Sequence, residues 1–155
     1  MSDFSFLKNY IFVEGDAEAN KEKHAFYPLK KHDIENAELR LGSSFPKELK
    51  DFFEQIGYGF ICNPNKSGVN RLMDPSSIVD FMLGEGVYEY DPDREIYDTQ
   101  NYLVFFEVSE GTYLTMDLNN DQHEEGSAIY YFGEKIASSL KDFLVKMDSQ
   151  TDYFL

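Results

Sequence analysis

Residues 33–59 read D-I-E-N-A-E-L-R-L-G-S-S-F-P-K-E-L-K-D-F-F-E-Q-I-G-Y-G, a pattern that predicts two helices in succession. Asp33 is placed to cap the first by accepting a hydrogen bond from an orphan backbone N–H. Ile34, Ala37 and Leu41 recur on one helical face, and Gly42 stands where a left-handed stop residue belongs. The second helix opens at Pro46, whose missing N–H costs nothing in a first turn. Leu49, Phe52, Phe53 and Ile56 form its apolar stripe, and Gly57 ends it. Lys47, Glu48, Lys50, Asp51 and Glu54 fall on the opposite side, which predicts a core helix with a solvated back.

N-terminal to this pair, Phe4, Phe6, Leu7, Tyr10 and Ile11 suggest a short amphipathic helix. Residues 15–23 are polar and predict a loop, and residues 26–29 an extended lead-in to the first helix. C-terminal to the pair, Phe60-Ile61-Cys62 predicts a short strand, followed by the turn-rich N-P-N-K-S-G and a second extended piece over 69–73. Asp74-Pro75 repeats the logic of a cap followed by proline. It opens a short helix with Ile78, Phe81 and Met82 inward and Gly84 as its stop. Residues 85–101, E-G-V-Y-E-Y-D-P-D-R-E-I-Y-D-T-Q-N, carry many turn formers and predict a long loop with some helix.

Three strands then follow. Residues 102–108 form a near-continuous apolar run suited to a central strand. Residues 112–118 alternate, and 128–132 make the third strand, with turns at Gly111 and 119–126. A helix is predicted over 134–147, with Ile136, Leu140, Phe143, Leu144 and Met147 as its stripe. The last eight residues are a tail whose Tyr153-Phe154-Leu155 either tucks back or stays loose. Helices early and strands late favour an α+β fold, an antiparallel meander packed against helices, over a parallel βαβ arrangement.

With 155 residues, the chain is of a length that predicts one domain over 1–155. A chain of this size buries roughly 68–70% of its unfolded surface, so it needs no disulfide or metal to fold. The single cysteine, Cys62, excludes an intramolecular disulfide and points to a reducing, cytoplasmic setting. No signal-peptide pattern and no apolar run of membrane-spanning length is present.

Motifs for chemistry are missing. Asp117 to Asp121 places acids at alternate positions, but Gln122 stands where a calcium loop needs Gly and Ala128 where it needs Glu, so an Asx-stabilised turn is the better reading. His24, His32 and His123 have no metal-ligand spacing and are expected on the solvated surface. Cys62 reads as a small buried hydrophobe. Gly57-Tyr58-Gly59 is too short for a phosphate cradle and reads as a helix stop plus a turn. No serine lies in G-x-S-x-G, and no carboxylate pair is singled out by spacing. No catalytic residue, metal or cofactor is therefore expected.

Charge is the remaining signal. The formal net charge is −15, and the segment from Glu85 to Glu125 holds twelve carboxylates against one base, Arg94, hence −11 of that total. Tyr88, Tyr90, Tyr97 and Tyr102 are interleaved with the acids. Such a field repels nucleic acid and anionic membranes and attracts basic partners. Two readings fit these residues. One is a grip for a basic protein, since Tyr offers large contact area at low rotamer cost. The other is a solvated acidic loop whose rings cover the sheet.

The stretch also carries a resemblance. Glu38, then Leu41-Gly42-x-x-Phe45-Pro46, then Leu49, Phe52, Phe53, Ile56 and Gly57, resembles the signature of the SUKH superfamily, which covers bacterial toxin-immunity proteins and fungal cell-wall-synthesis regulators. Residues 113–118, 129–132, 136–140 and Phe143-Leu144 are similar to its later part. The resemblance implies the same α+β fold and, for a bacterial member, a non-enzymatic immunity protein. Such a protein binds and neutralises a cognate polymorphic toxin, expected to be a nuclease with a basic surface. The contacts expected on that reading are Glu85, Tyr88, Glu89, Tyr90, Asp91, Asp93, Glu95, Tyr97 and Asp98, with Asp121, Glu124 and Glu125 as a secondary patch. The fungal members imply the alternative of a regulatory scaffold for signalling partners. An enzyme acting on a basic or sugar substrate is the third reading.

Overall fold

The structure is a computed structural model that describes residues 2–13, 23–62, 70–120 and 126–155. Seven strands lie in sequence order in one sheet. They are β1 (His24–Tyr27), β2 (Tyr58–Ile61), β3 (Arg71–Leu72), β4 (Tyr102–Ser109), β5 (Thr112–Asp117), β6 (Ile129–Tyr131) and β7 (Glu134–Ala137). Every neighbouring pair is antiparallel. The helices are α1 (Lys31–Leu41), α2 (Lys47–Gln55), α3 (Pro75–Leu83) and α4 (Leu140–Ser149). The α+β meander expected from the sequence is the fold observed.

Register assigns the two faces. Phe26, Gly59, Leu72, Phe106 and Leu114 stand in one row across five strands. Phe26 meets Phe52 of α2 at 5.8 Å, and Phe106 meets Phe143 of α4 at 5.1 Å. The adjacent row, Ala25, Phe60, Arg71, Glu107 and Tyr113, points the other way. There Phe81 of α3 packs on Tyr113 at 4.8 Å, and α1 packs beside α3. Helices thus cover both faces of the meander.

Several local expectations are corrected. Asp33 is not the first cap: α1 begins at Lys31, and the Asp33 carboxylate reaches back to accept the Lys30 backbone N–H at 3.0 Å. Pro46 stands at the N-cap position, just outside α2, not in its first turn. Gly59 lies within β2, not in a turn. The N-terminal segment forms a 3-10 helix, Ser5–Tyr10. The helix expected over 134–147 begins only at Leu140, because Phe132 and Gly133 take left-handed φ values of 47° and 82° and fold β7 back on β6. Ile136 therefore belongs to a strand. Ser139 then caps α4 by accepting the Asp142 N–H.

The back of α2 is not solvated throughout. Glu48 and Asp51 are 7% and 6% exposed. Glu48 accepts the Leu140 N–H at 2.6 Å and the Lys141 N–H at 3.3 Å, capping α4 from across the core, and Asp51 accepts the Ser2 N–H. His24, expected on the surface, is fully buried. Its Nε2 meets Asp148 at 2.7 Å and its Nδ1 accepts the Cys62 N–H at 2.9 Å. Burial lowers its pKa, partly countered by the Asp148 bond. The imidazole is thus held neutral as a pin between β1, β2 and α4.

Gly57 explains why α2 can turn directly into the sheet. Its φ is +122°, and a Cβ there would stand 1.9 Å from the Tyr27 carbonyl oxygen. Only glycine allows β1 to pass that close. At the other end of the chain the tail tucks back: the Tyr153 hydroxyl donates to the Ile136 carbonyl at 2.8 Å, and Phe154 packs on Tyr131. This covers part of the β7 edge, where unpaired backbone would otherwise invite strand addition.

Candidate partner-binding face

The acidic segment after α3 is held by three inward side chains. Tyr88 is only 7% exposed and meets Phe81 edge-on at 5.1 Å. Tyr97 is half-buried, packs on Phe81 and Tyr113, and its hydroxyl accepts the Tyr113 N–H at 2.8 Å. Burial raises the pKa of both phenols. Arg94 also turns inward. It donates to the Phe81 and Met82 carbonyls at the end of α3 and lies over the Phe81 ring, which spends the segment's one cation on capping a helix C-terminus.

Short turns set the carboxylates between these anchors. Asp91 caps the 3-10 turn Pro92–Ile96 by accepting the Asp93 N–H at 2.8 Å. Asp98 accepts from Gln100 and Asn101, and the Asn101 side-chain bond, the largest influence, lowers its pKa and keeps it ionised. Glu85 is ion-paired with Arg40, which also holds Asp80. Glu107 is paired with Arg71. Among the described residues no Lys or Arg lies within ion-pair distance of Glu89, Asp91, Asp93, Glu95 or Asp98.

The twelve residues predicted as contacts therefore divide. Glu89, Tyr90, Asp91, Asp93, Glu95 and Asp98 stand together on one segment with accessible side chains. Glu85 is accessible but already neutralised. Tyr88 and Tyr97 anchor the segment: Tyr88 offers a partner little surface because its ring completes the core under α3, whereas half-buried Tyr97 keeps one side open to a groove. Asp121, Glu124 and Glu125 lie outside the described residues, as do His123, the loop over 15–22 and the turn over 63–68.

The face also includes apolar residues that sequence reasoning passed over. Val87 is 86% exposed, Ile96 64% and Phe132 60%, beside the predicted contact Tyr90 at 89%. Ile96, Tyr97, Asp98, Tyr102, Thr115, Tyr130, Phe132 and Gly133 line a groove of about 320 Å³. Tyr102 and Tyr130 meet edge-on at 5.5 Å, and Tyr97 and Phe132 lie near-parallel with centroids 6.5 Å apart. Phe132 occupies the first central position of a two-residue hairpin turn, where left-handed backbone favours Asn, Asp or Gly. A phenylalanine there carries about 1–2 kcal/mol of backbone strain. The legible signal was a two-residue F-G step between two strand-like runs.

Elsewhere, a cleft of about 410 Å³ between α1, α3 and the β1–β2 side includes Asp33 and Asp74. Both carboxylates are already engaged at helix N-termini, Asp33 at the third position of α1 and Asp74 as the cap of α3. Cys62 donates its thiol to the Met147 carbonyl at 3.3 Å, and burial raises its pKa, as suits an inert thiol. Among the described residues no group of three His, Cys, Asp or Glu could hold a metal ion. Among them, too, no helix is long and apolar enough to cross a membrane.

The acidic, partly apolar face thus lies on an α+β domain, an antiparallel meander with helices on both sides. Residues 28–146 match the SMI1/KNR4 family (SUKH-1), and the chain belongs to that family. It is 39% identical over 149 residues to a Bacillus subtilis (strain 168) protein named immunity protein YxxD, with 95% of each chain covered.

Proposed function

We propose that this protein is an immunity protein that binds a cognate polymorphic toxin, a nuclease, in the cytoplasm of the producing cell and neutralises it by stoichiometric occlusion without catalysis. The observation that carries the reading is the run of carboxylates from Glu89 to Asp98, with which no Lys or Arg among the described residues pairs, interrupted by the exposed Tyr90 and Ile96. It is supported by the near full-length similarity to a protein named for immunity. A nuclease must hold phosphates with a basic surface. An acidic face that docks there competes with substrate and gains a steered, fast encounter.

On this reading Glu89, Tyr90, Asp91, Asp93, Glu95 and Asp98 make the contacts, with Asp121, Glu124 and Glu125 as a secondary patch. Glu85, Tyr88 and Tyr97 hold the segment in place. The test is co-expression with the toxin-like open reading frame beside the gene, scored by survival. The wild-type chain rescues growth, and a variant with Glu89, Asp91, Asp93 and Glu95 changed to Gln or Asn rescues poorly while folding normally. Equal rescue by both would remove the acidic segment from the interface, and no rescue by either would remove the immunity reading for that pair.

A further inference from the structure

The groove between the 3-10 turn Pro92–Ile96 and the β6–β7 hairpin is walled by Tyr97, Tyr102, Tyr130 and Phe132, and among the described residues its one charged lining residue is Asp98. Aromatic faces carry negative potential, so rings grouped around one carboxylate make a receptor for a cation rather than for a neutral apolar group. The shape narrows the choice. Tyr97 and Phe132 are tilted only 23° apart with centroids at 6.5 Å, closer than the about 7–8 Å that a layer sandwiched between two rings needs, so a guest must stack flat on the exposed Phe132 ring at the mouth of the groove. A cation on that ring face would lie within the about 6 Å over which an aromatic face attracts positive charge. Guanidinium is planar and stacks on aromatic faces, whereas ammonium is a compact, strongly hydrated point charge. Asp98 uses both oxygens within its own turn, but a carboxylate has about four lone-pair sites and keeps acceptor capacity.

Phe132 gives a second, independent pointer. It is an exposed aromatic in a left-handed turn conformation that suits a small polar residue, and strained backbone of this kind is characteristic of ligand clamps. We infer that this groove is an arginine receptor, in which a guanidinium stacks on the exposed Phe132 ring beside Tyr97 and pairs with Asp98. The source of the arginine rests on the immunity reading: a basic toxin surface would present it. Arginine at the centre of a charged interface is a common hot spot, so the groove would supply register where the acidic run supplies attraction. Lys135 pairs with Tyr130 across the β6–β7 ladder and stands outside the lining.

The experiment needs no toxin. N-acetyl-arginine amide is titrated into the full chain while NMR shifts of Thr115, Phe132 and Gly133 are followed, with N-acetyl-lysine amide and N-acetyl-leucine amide as comparison probes. The arginine amide should give saturable shifts confined to the groove, the lysine amide about tenfold weaker binding, and the leucine amide none. Phe132→Asn and Asp98→Asn should each weaken arginine binding about tenfold or more, and Phe132→Tyr should retain it. No saturable shift with arginine, equal response to leucine, or wild-type binding by Phe132→Asn would overturn the inference. Failure to rescue a co-expressed toxin leaves this result untouched, so the two readings fail separately.

Discussion

Removing Glu48 should expose how much of this fold depends on a single cross-core cap. The carboxylate accepts from the Leu140 N–H (2.6 Å), the Lys141 N–H (3.3 Å) and the Ser2 hydroxyl (3.1 Å). In Glu48→Ala the buried Leu140 N–H loses its partner, and so does the hydroxyl. A hydrogen bond to a charged group is worth about 1.5–3 kcal/mol net, and an orphaned buried donor costs about 1–3 kcal/mol. Relief of the buried charge offsets part of this, leaving a loss of about 3 kcal/mol. For a chain of this length that lowers Tm by about 6–12 °C. Glu48→Gln keeps an acceptor oxygen and should cost about 1 kcal/mol.

The pH dependence of that variant supplies a second reading of the same site. Burial, the largest influence, raises the Glu48 pKa above 4.5 despite the bonds from Leu140, Lys141 and Ser2. In the window above 4.5 the folded chain holds a proton that the unfolded chain releases. Stability from this group is therefore present below the unfolded pKa and declines as pH rises through the folded one. Glu48→Gln does not titrate and should flatten that slope. Urea denaturation at several pH values measures both effects. A Glu48→Ala loss below about 1 kcal/mol, or an unchanged pH slope in Glu48→Gln, would refute the capping argument.

Four further outcomes are expected. His24 is held neutral, so stability should fall as pH drops below 6.5 toward its lowered folded pKa; thermal melts of His24→Gln should lose that decline, and a persistent one would assign it elsewhere. Gly57→Ala forces a methyl against the Tyr27 carbonyl and should cost about 3 kcal/mol, whereas Gly42→Ala meets nothing within 4 Å and should cost only the φ strain, about 1 kcal/mol. Phe132→Asn relieves about 1–2 kcal/mol of turn strain and loses about 0.5–1 kcal/mol of ring contact, so its Tm should not fall. Association with a basic toxin should slow as salt rises from 0.05 to 0.5 M, roughly in step with the shortening Debye length, and stopped-flow mixing measures it.

Much of the fold was legible because its elements are specified locally. Asp74-Pro75 caps α3 as the residue types predict, with the Asp74 carboxylate accepting the Ser77 N–H, and Gly42 takes the left-handed stop after α1. β7 was missed because Ile136 and Leu140 happen to stand four residues apart, so a strand residue and a helix residue imitated one stripe. The candidate face was legible in its acids, whose run is a property of the chain itself. Its apolar half was not, since Phe132 lies thirty-six residues from Ile96 and nothing local indicates that the hairpin brings them to one groove.

The sequence by itself determined the α+β class, the cap of α3, the stop of α1 and the concentration of negative charge, because periodicity, capping and charge are read over a few residues, and its motif residues carried the resemblance to the superfamily. Tertiary structure alone decided which polar groups are buried and which rings converge. Glu48 and His24 look like surface residues until α4 packs over them, and Tyr97 meets Phe132 only when the meander closes. Burial and convergence depend on what long-range packing delivers to a residue's side, and no window of sequence contains that partner.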